Sequence, residues 1–244
     1  MTLASHSWGT YHWTTASVSA TSPLLVGDNV SAKWDPYLNQ AIADWNTSTV
    51  IKLAKTNGGT RAKNCRPTAG RVEACSERYG YTGWLGVAQI WVSGGHITQA
   101  ITKVNDSYFD TPTYNTPAWR GLVMCQEIAH DFGLAHQDEV FDNVNLGSCM
   151  DYTNDPDGGA GGASETDPSN VHPNAHDFDQ LAAIYTHGDG ASALAPTSVA
   201  AGTGDGSAAW GQLVSGSRSS GVSLYVLDLG AGQRIYTHVI WANS

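Results

Sequence analysis

The sequence predicts an α+β fold, because helical and strand-like patterns alternate along its 244 residues. Two helix starts stand out, Asp35-Pro36 and Thr116-Pro117, where a capping side chain precedes a proline at the first helical position. Two β-rich segments, Trp84 to Val92 and His96 to Val104, are separated by Ser93-Gly94-Gly95, which predicts a hairpin. Together these patterns indicate a sheet covered by helices.

The remaining elements follow in chain order. Ser7 to Thr14 alternates aromatic and polar residues imperfectly, which predicts a first strand. Asp35-Pro36 opens a helix with one apolar face, and Val50 to Ala54 is predicted to be a short strand. The loop from Cys65 to Cys75 reads as irregular. Asn174 is placed to cap a last helix with an apolar stripe.

The C-terminal part differs in composition from the rest. Residues 189–207 are rich in Ala, Gly, Ser and Thr, which is typical of a linker. Residues 208–244 contain two predicted strands, Val222 to Leu229 and Gln233 to Trp241. Because a lone hairpin is marginally stable in water, we expect this tail to pack on the domain formed by residues 1–188.

The most informative stretch is 125–139, CQEIAHDFGLAHQDE. In a helix, Gln126 and His130 lie at i and i+4 on one face with Glu127 beside them, so three polar groups converge on a point that could hold a metal. Gly133 can adopt a left-handed conformation and end the helix, which lets His136 turn back toward the same point.

This spacing, xExxHxxGxxH, closely resembles the zinc signature HExxHxxGxxH of the metzincin metallopeptidases, and SCMDY at 148–152 resembles their methionine turn. The resemblance implies a metzincin-like catalytic domain with a twisted mixed sheet, an active-site helix, a Met turn at Met150 and a C-terminal helix. Within the family the chain looks most like matrixin-like bacterial secreted proteins. It departs from the signature at Gln126, where the family has its first histidine.

The resemblance also implies a site. One catalytic Zn²⁺ would be held by Gln126, His130 and His136, with Glu127 as the general base. An amide oxygen is a weaker ligand for zinc than an imidazole nitrogen, so we expect reduced metal affinity.

Further roles come from the same resemblance. Tyr152 follows Met150 as in the MxY pattern of astacins and serralysins, which implies a ligand or transition-state role, against a packed core tyrosine. In metzincins the edge strand of the sheet binds the extended substrate by main-chain pairing, and the matching residues here are Gly86, Val87 and Ala88.

Four cysteines allow three pairings. The resemblance favours Cys65 with Cys75 and Cys125 with Cys149, because Gln126 and Met150 would both lie near the metal and bring their neighbours together. Two disulfides, few lysines and many small polar residues indicate a secreted, extracellular protein.

Composition argues against several partners. A net charge of -10 with 12 Lys and Arg is unfavourable for nucleic acid, and no apolar run is long enough to span a membrane. We expect a monomer acting on proteins or peptides. Calcium at Asp155, Asp157 and Asp167 is unsupported, because the EF-hand spacing is absent. The remaining histidines, His238 among them, lack ligand spacing apart from His172 and His176, which we interpret as surface or packing residues.

The function that this pattern predicts is a secreted zinc-dependent endopeptidase in which Glu127 accepts a proton from a metal-activated water. The alternative is a pseudoprotease with the same fold, weak or inactive, that serves as a binding module for protein or glycan. The contrast between Gln126 and the intact Glu127 discriminates between the two hypotheses. Gln126 replaces a ligand of the signature, whereas Glu127 favours catalysis, since a binding module has no need of a general base.

Overall fold

The computed structural model describes residues 6–7, 11–159, 165–186 and 207–242. It is α+β, as predicted. The strands are β1 (Leu24–Asn29), β2 (Leu53–Asn57), β3 (Arg71–Glu77), β4 (Trp84–Ser93), β5 (His96–Asn105), β6 (Gln212–Ser217), β7 (Val222–Gly230) and β8 (Gln233–Trp241). The helices are α1 (Asp35–Trp45), α2 (Asp106–Phe109), α3 (Pro117–His130), α4 (Ala175–Tyr185) and α5 (Ser207–Trp210).

All eight strands form one mixed sheet in the order β2-β1-β3-β5-β4-β8-β7-β6. The first four strands in this order run parallel to one another. β4 reverses the direction, and every pairing from β5–β4 to β7–β6 is antiparallel. The sheet therefore joins a parallel half from the N-terminal part of the chain to an antiparallel half that includes the three tail strands β6, β7 and β8.

The main core lies between the sheet and helices α1 and α3, which pack against each other. Asp35 does not cap α1 as predicted, because it is the first residue of that helix and the preceding Trp34 makes no side-chain capping hydrogen bond. The other two predicted caps explain where their helices begin. The Thr116 side chain accepts a hydrogen bond from the Trp119 amide at the start of α3, directly before Pro117. Asn174 and Asp177 form a reciprocal capping box at the start of α4. Local capping thus positions the helix that carries the predicted site.

The C-terminal tail does not pack on a separate domain as a hairpin. Instead, β8 pairs with β4 and continues the sheet, which β7 and then β6 extend further. A hydrogen bond of 2.8 Å from Gln89 to Thr237, residues that are direct partners in the β4–β8 pair, fixes the register. β8 also supplies apolar side chains to three buried clusters. Tyr236 and Ile240 belong to the main core, Ile235 to a second cluster, and Val239 and Trp241 to a third. The tail is therefore an integral part of the core.

Some sequence-based boundaries are wrong. Ser7 and His12 form isolated bridges to Leu134 and His96 where a first strand was predicted, and residues 8–10 lie outside the described part. β1, β3 and β6 were missed. β3 overlaps the segment that was predicted to be an irregular loop, and it is buried along both faces, the charged Glu73 included.

The predicted linker lies outside the described residues, except for Ser207. The predicted helices and the C-terminal hairpin do lie within them, and β7 and β8 match the two predicted tail strands to within a residue. No helix in the described ranges is long and apolar enough to cross a membrane.

Two disulfides tie the fold together, with the expected pairing. Cys65–Cys75 fastens the loop before β3 to that strand, and Cys125–Cys149 links α3 to the segment that contains Met150. The second bond spans 24 residues and joins the two pieces of the sequence motif. It restricts their separation in the unfolded chain, which stabilises the folded arrangement.

A buried carboxylate in β3 anchors the loop before it. Glu73 is fully buried, 2.7 Å from the Arg71 guanidinium, and it accepts hydrogen bonds from Thr68, Asn29 and the Gly59 amide. Burial alone would raise the pKa of Glu73, but Arg71 and the three hydrogen bonds together lower it. The ionised form is thus the one that the fold stabilises.

Replacing Glu73 by glutamine is expected to lower the free energy of unfolding at pH 7 by about 1–3 kcal/mol, because Arg71 loses its partner. Since the pKa is lower in the folded than in the unfolded state, Glu73 contributes its full stability above the unfolded pKa and loses it as pH falls through the folded pKa. Urea unfolding at pH 7, 4 and 3 should show a shallower acid loss for Glu73→Gln. An acid loss equal to that of a Glu77→Gln control would contradict this.

Candidate metal centre

Helix α3 brings Gln126, Glu127 and His130 to the centre of the core, where all three side chains are fully buried. The Nδ1 atom of His130 lies 2.7 Å from the Leu134 carbonyl oxygen. Because a carbonyl oxygen can only accept, Nδ1 carries the hydrogen, and Nε2 is left with the lone pair that a metal ligand needs.

The turn after α3 depends on Gly133, which has a φ of 103°. A Cβ atom at this position would also collide with the carbonyl oxygen of Tyr11. The turn sends the chain back so that the His136 ring lies with its centroid 4.9 Å from that of His130. The structure therefore brings the two predicted histidines together.

Glu139, which lies outside the candidate metal centre, orients the His136 ring. Its Nδ1 atom lies 3.3 Å from a carboxylate oxygen of Glu139, which sets Nδ1 as the donor. Its Nε2 atom is buried and makes no hydrogen bond to any described residue. A buried imidazole nitrogen with a lone pair and no protein donor is a ready metal ligand.

The third imidazole is that of His238 in the C-terminal tail, a residue that the sequence pattern did not indicate as a ligand. His238 lies on β8 directly opposite Ala88 of β4, and only 3% of its surface is exposed. Its ring centroid is 3.8 Å from that of His130 and 4.4 Å from that of His136. His238, for which the sequence showed no ligand spacing, is therefore brought beside His130 and His136 by the fold.

One ligand atom from each of His130, His136 and His238 lies within 4.8 Å of the others. Burial, and then the proximity of the other rings, hold the pKa values of His130 and His238 well below the usual range. For these two residues the neutral imidazole, which is the form that binds metals, is therefore favoured. Three imidazoles that converge in a buried space fit the ligand set of a zinc ion, which His130, His136 and His238 would hold.

Glu127 borders this cluster. Its carboxylate is fully buried, makes no hydrogen bond to any described residue, and lies 3.7 Å from Nδ1 of His238. Burial and, second, the charge of Asp131 hold the pKa of Glu127 well above its usual range. Space for the carboxylate exists because residue 86 is glycine, since a Cβ there would collide with Glu127 and Val123.

Gln126 is held by the Met-turn segment. Its Nε2 donates a 2.7 Å hydrogen bond to the carbonyl oxygen of Cys149, the residue that is disulfide-bonded to Cys125. Its Oε1 is buried without a hydrogen-bond partner among the described residues. That this oxygen binds the metal stays a prediction, while the third imidazole is supplied by His238.

The Met turn lies beside the histidines. Met150 is fully buried, and its carbonyl oxygen accepts a 2.6 Å hydrogen bond from the amide of Gln137, next to His136. Tyr152 is also buried, with its ring centroid 6.2 Å from that of His136, and burial raises the pKa of its hydroxyl. A Cβ at Gly221 would collide with this hydroxyl, so the tail encloses the tyrosine. Its catalytic role stays a prediction.

The predicted substrate-binding edge does not exist in this structure. Gly86, Val87 and Ala88 lie in β4, which pairs with β5 on one side and with β8 on the other. Their direct partners on β8 are Ile240, Val239 and His238. Because β8 uses the main-chain groups of β4 that would otherwise be open, an extended peptide cannot pair there.

The described residues of the acidic loop after the Met turn form no group with metal-ligand spacing. Asp155, Asp157 and Asp167 repel one another, and burial followed by the two neighbouring carboxyl groups raises the pKa of Asp155. Among the described residues, the three-histidine cluster is the group with metal-ligand spacing. Calcium at the aspartates stays unsupported.

Comparisons with known proteins give a limited result. No family model and no curated protein matches the sequence. Among solved structures, the chain is similar to High choriolytic enzyme 1, a hatching enzyme zinc-protease from Oryzias latipes (Medaka fish), at 10% sequence identity and a TM-score of 0.32. That likeness covers 71% of this chain and 94% of that chain. Values of this size do not establish a common family.

Proposed function

We propose that this protein is a secreted zinc-dependent endopeptidase of metzincin type whose third histidine ligand comes from the C-terminal tail. The observation that carries the proposal is the convergence of His130, His136 and His238, all buried, beside the buried carboxylate of Glu127. A metal site with an adjacent carboxylate is the arrangement needed for hydrolysis without a covalent intermediate.

His130, His136 and His238 would hold the zinc ion, which would act as a Lewis acid and lower the pKa of a bound water to about 7. Glu127 takes the proton of the attacking water and passes it to the leaving amine. Its position favours this role, because the buried carboxylate borders the histidine cluster, 3.7 Å from Nδ1 of His238.

Other residues hold these groups in place. The Leu134 carbonyl and the Glu139 carboxylate orient His130 and His136. We assign Gln126 a positioning role, because its hydrogen bond to Cys149 links α3 to the Met turn. The sheet register holds His238, so the strand pair β4–β8 performs the task that a helical histidine performs in the family signature.

We also propose that the protein is secreted. Its support is the pair of disulfides, Cys65–Cys75 and Cys125–Cys149, since such bonds form and persist in oxidising compartments. The proposed substrates are proteins or peptides, and we propose that the enzyme acts as a monomer.

The test is zinc content and hydrolysis measured on the same purified sample. We expect close to one zinc per chain by elemental analysis, and digestion of casein that a chelator abolishes and added zinc restores. Zinc without any hydrolysis would favour the alternative, a pseudoprotease that acts as a binding module. Hydrolysis that survives complete removal of metal would overturn the proposal.

A further inference from the structure

A cavity lies where helices α1 and α3 begin, and we call it the α1–α3 cavity. Its volume is about 360 Å³, within the range of about 300–1,000 Å³ that is usual for ligand pockets. None of its described lining residues belongs to the histidine cluster. Gly121, which lines it, precedes His130 by nine positions in α3, a distance of about 14 Å along the helix. The α1–α3 cavity is therefore separate from the candidate metal centre.

Apolar side chains from three segments form the interior of the α1–α3 cavity. They are Pro36 and Tyr37 in the first turn of α1, Pro117 and Ala118 in the first turn of α3, and Val171 in the segment before α4. The two prolines lack an amide N–H, so these walls offer apolar contact and not main-chain donors. The interior therefore suits an apolar group of the ligand.

A glycine within α3 keeps this space open. Inside a helix glycine is less favourable than alanine, so its presence at residue 121 calls for a packing reason. A Cβ at this position would lie 3.3 Å from the Cβ of Val171, closer than ordinary van der Waals contact. Gly121 thus leaves room beside Val171 that a larger side chain would fill.

Acidic groups border the apolar interior. Asp157 lines the cavity and is exposed, and no lysine or arginine occurs among the described lining residues. The Asp44 carboxylate accepts a 2.7 Å hydrogen bond from Gln40 and lies 2.7 Å from Nδ1 of His172, so it orders two more lining residues. A cation bound at Asp157 would also reduce the repulsion between that carboxylate and Asp155. The border of the cavity is therefore complementary to a positive charge.

We infer that the α1–α3 cavity is a docking site for the protein substrate, where a large apolar side chain enters and a neighbouring lysine or arginine pairs with Asp157. The inference rests on the proposed function. The apolar walls bind the first side chain, and the carboxylate attracts the second. Asp157 and Asp35, the first residue of α1, outweigh the partial charge of about half a unit at each helix N-terminus, so a cation is favoured over an anion.

Three probes test the chemistry of the ligand: acetyl-Trp-Lys-amide, acetyl-Trp-Glu-amide and acetyl-Ala-Lys-amide, each titrated into the protein and followed by NMR. The first should bind wild type about 10-fold or more tightly than either of the others. Ala118→Trp fills the cavity and should weaken its binding by about 10-fold or more. Asp157→Lys should abolish the preference for lysine over glutamate. Because Asp157 is exposed, this variant keeps the test decisive if Ala118→Trp does not fold.

Asn39→Trp and Asp179→Lys are the matched controls. Both residues are exposed, Asn39 in α1 and Asp179 in α4, and neither is in the lining. Both variants should bind the three probes as wild type does. Equal binding of all three probes to wild type, or undiminished binding in both cavity variants, would overturn the docking site.

A second experiment tests whether docking contributes to hydrolysis. A fluorogenic peptide is compared with the same peptide extended by Trp-Lys on a Gly/Ser linker of about ten residues, which is long enough to span about 14 Å. Wild type should show a KM about 3–10-fold lower for the extended peptide with unchanged kcat, because linkage raises the effective concentration. Ala118→Trp should show equal KM values for the two peptides. Equal values in wild type would overturn the docking site, whereas absence of chelator-sensitive hydrolysis would overturn the proposed function instead.

Discussion

His238→Ala is expected to lose zinc and, with it, essentially all hydrolysis. The substitution removes one of three imidazoles from the cluster and leaves His130 and His136 to hold the metal. Loss of a residue that merely orients a ligand weakens binding by about 10–100-fold, so loss of the ligand itself should cost at least about 100-fold. Zinc titration with a competing chelator measures this directly.

A second substitution can separate loss of a ligand from damage to the sheet. Gln126 occupies the helix position where the family signature has its first histidine, on the same face as His130. The double variant Gln126→His/His238→Ala should therefore recover much of the zinc binding. His172→Ala is the control, because the His172 side chain is 54% exposed and pairs with Asp44 outside the centre. A gain of hydrolysis in His238→Ala would show that His238 blocks the site, contrary to our assignment.

Glu127→Gln is expected to lower kcat by about 10²–10⁴-fold while zinc content stays at the wild-type value. Glutamine has nearly the same shape but cannot accept the proton of the attacking water. Because burial strongly disfavours the charged form of Glu127, the substitution should not reduce stability. Hydrolysis of a fluorogenic peptide gives kcat, and elemental analysis of the same sample gives the zinc content.

Two control substitutions test whether the loss of kcat is specific to Glu127. Glu139→Gln changes a carboxylate that touches His136 from outside, and it should reduce zinc affinity more than kcat at saturating zinc. Glu77→Gln, at the end of β3, should change neither. If Glu127→Gln hydrolysed peptides at the wild-type rate with zinc bound, another group would have to be the base.

Much of the site was predictable because it is encoded locally. The i and i+4 spacing of Gln126 and His130 specifies one helix face, and the Thr116 cap with Pro117 specifies where that helix begins. Gly133 indicates the turn, since its φ of 103° suits glycine. Such signals act within a few residues, so a sequence can be interpreted without knowledge of the rest of the fold.

The signal for His238 was present but weak. In β8, Tyr236, His238 and Ile240 lie on the face toward the main core, so a histidine interrupts an otherwise apolar inward stripe. Alternation of this kind identifies an inward residue, but it does not say which strand lies beside it. The same limit explains why β4 was taken for an edge strand.

The sequence by itself determined the α+β class, the helix that carries Glu127 and His130, the return of His136 and the tail strands. Only the tertiary structure decided that the third histidine is His238 and that β8 covers β4. The reason is the range of the interactions involved. Helix faces follow from residues four apart, whereas the β4–β8 register joins residues such as Gln89 and Thr237, which are 148 positions apart.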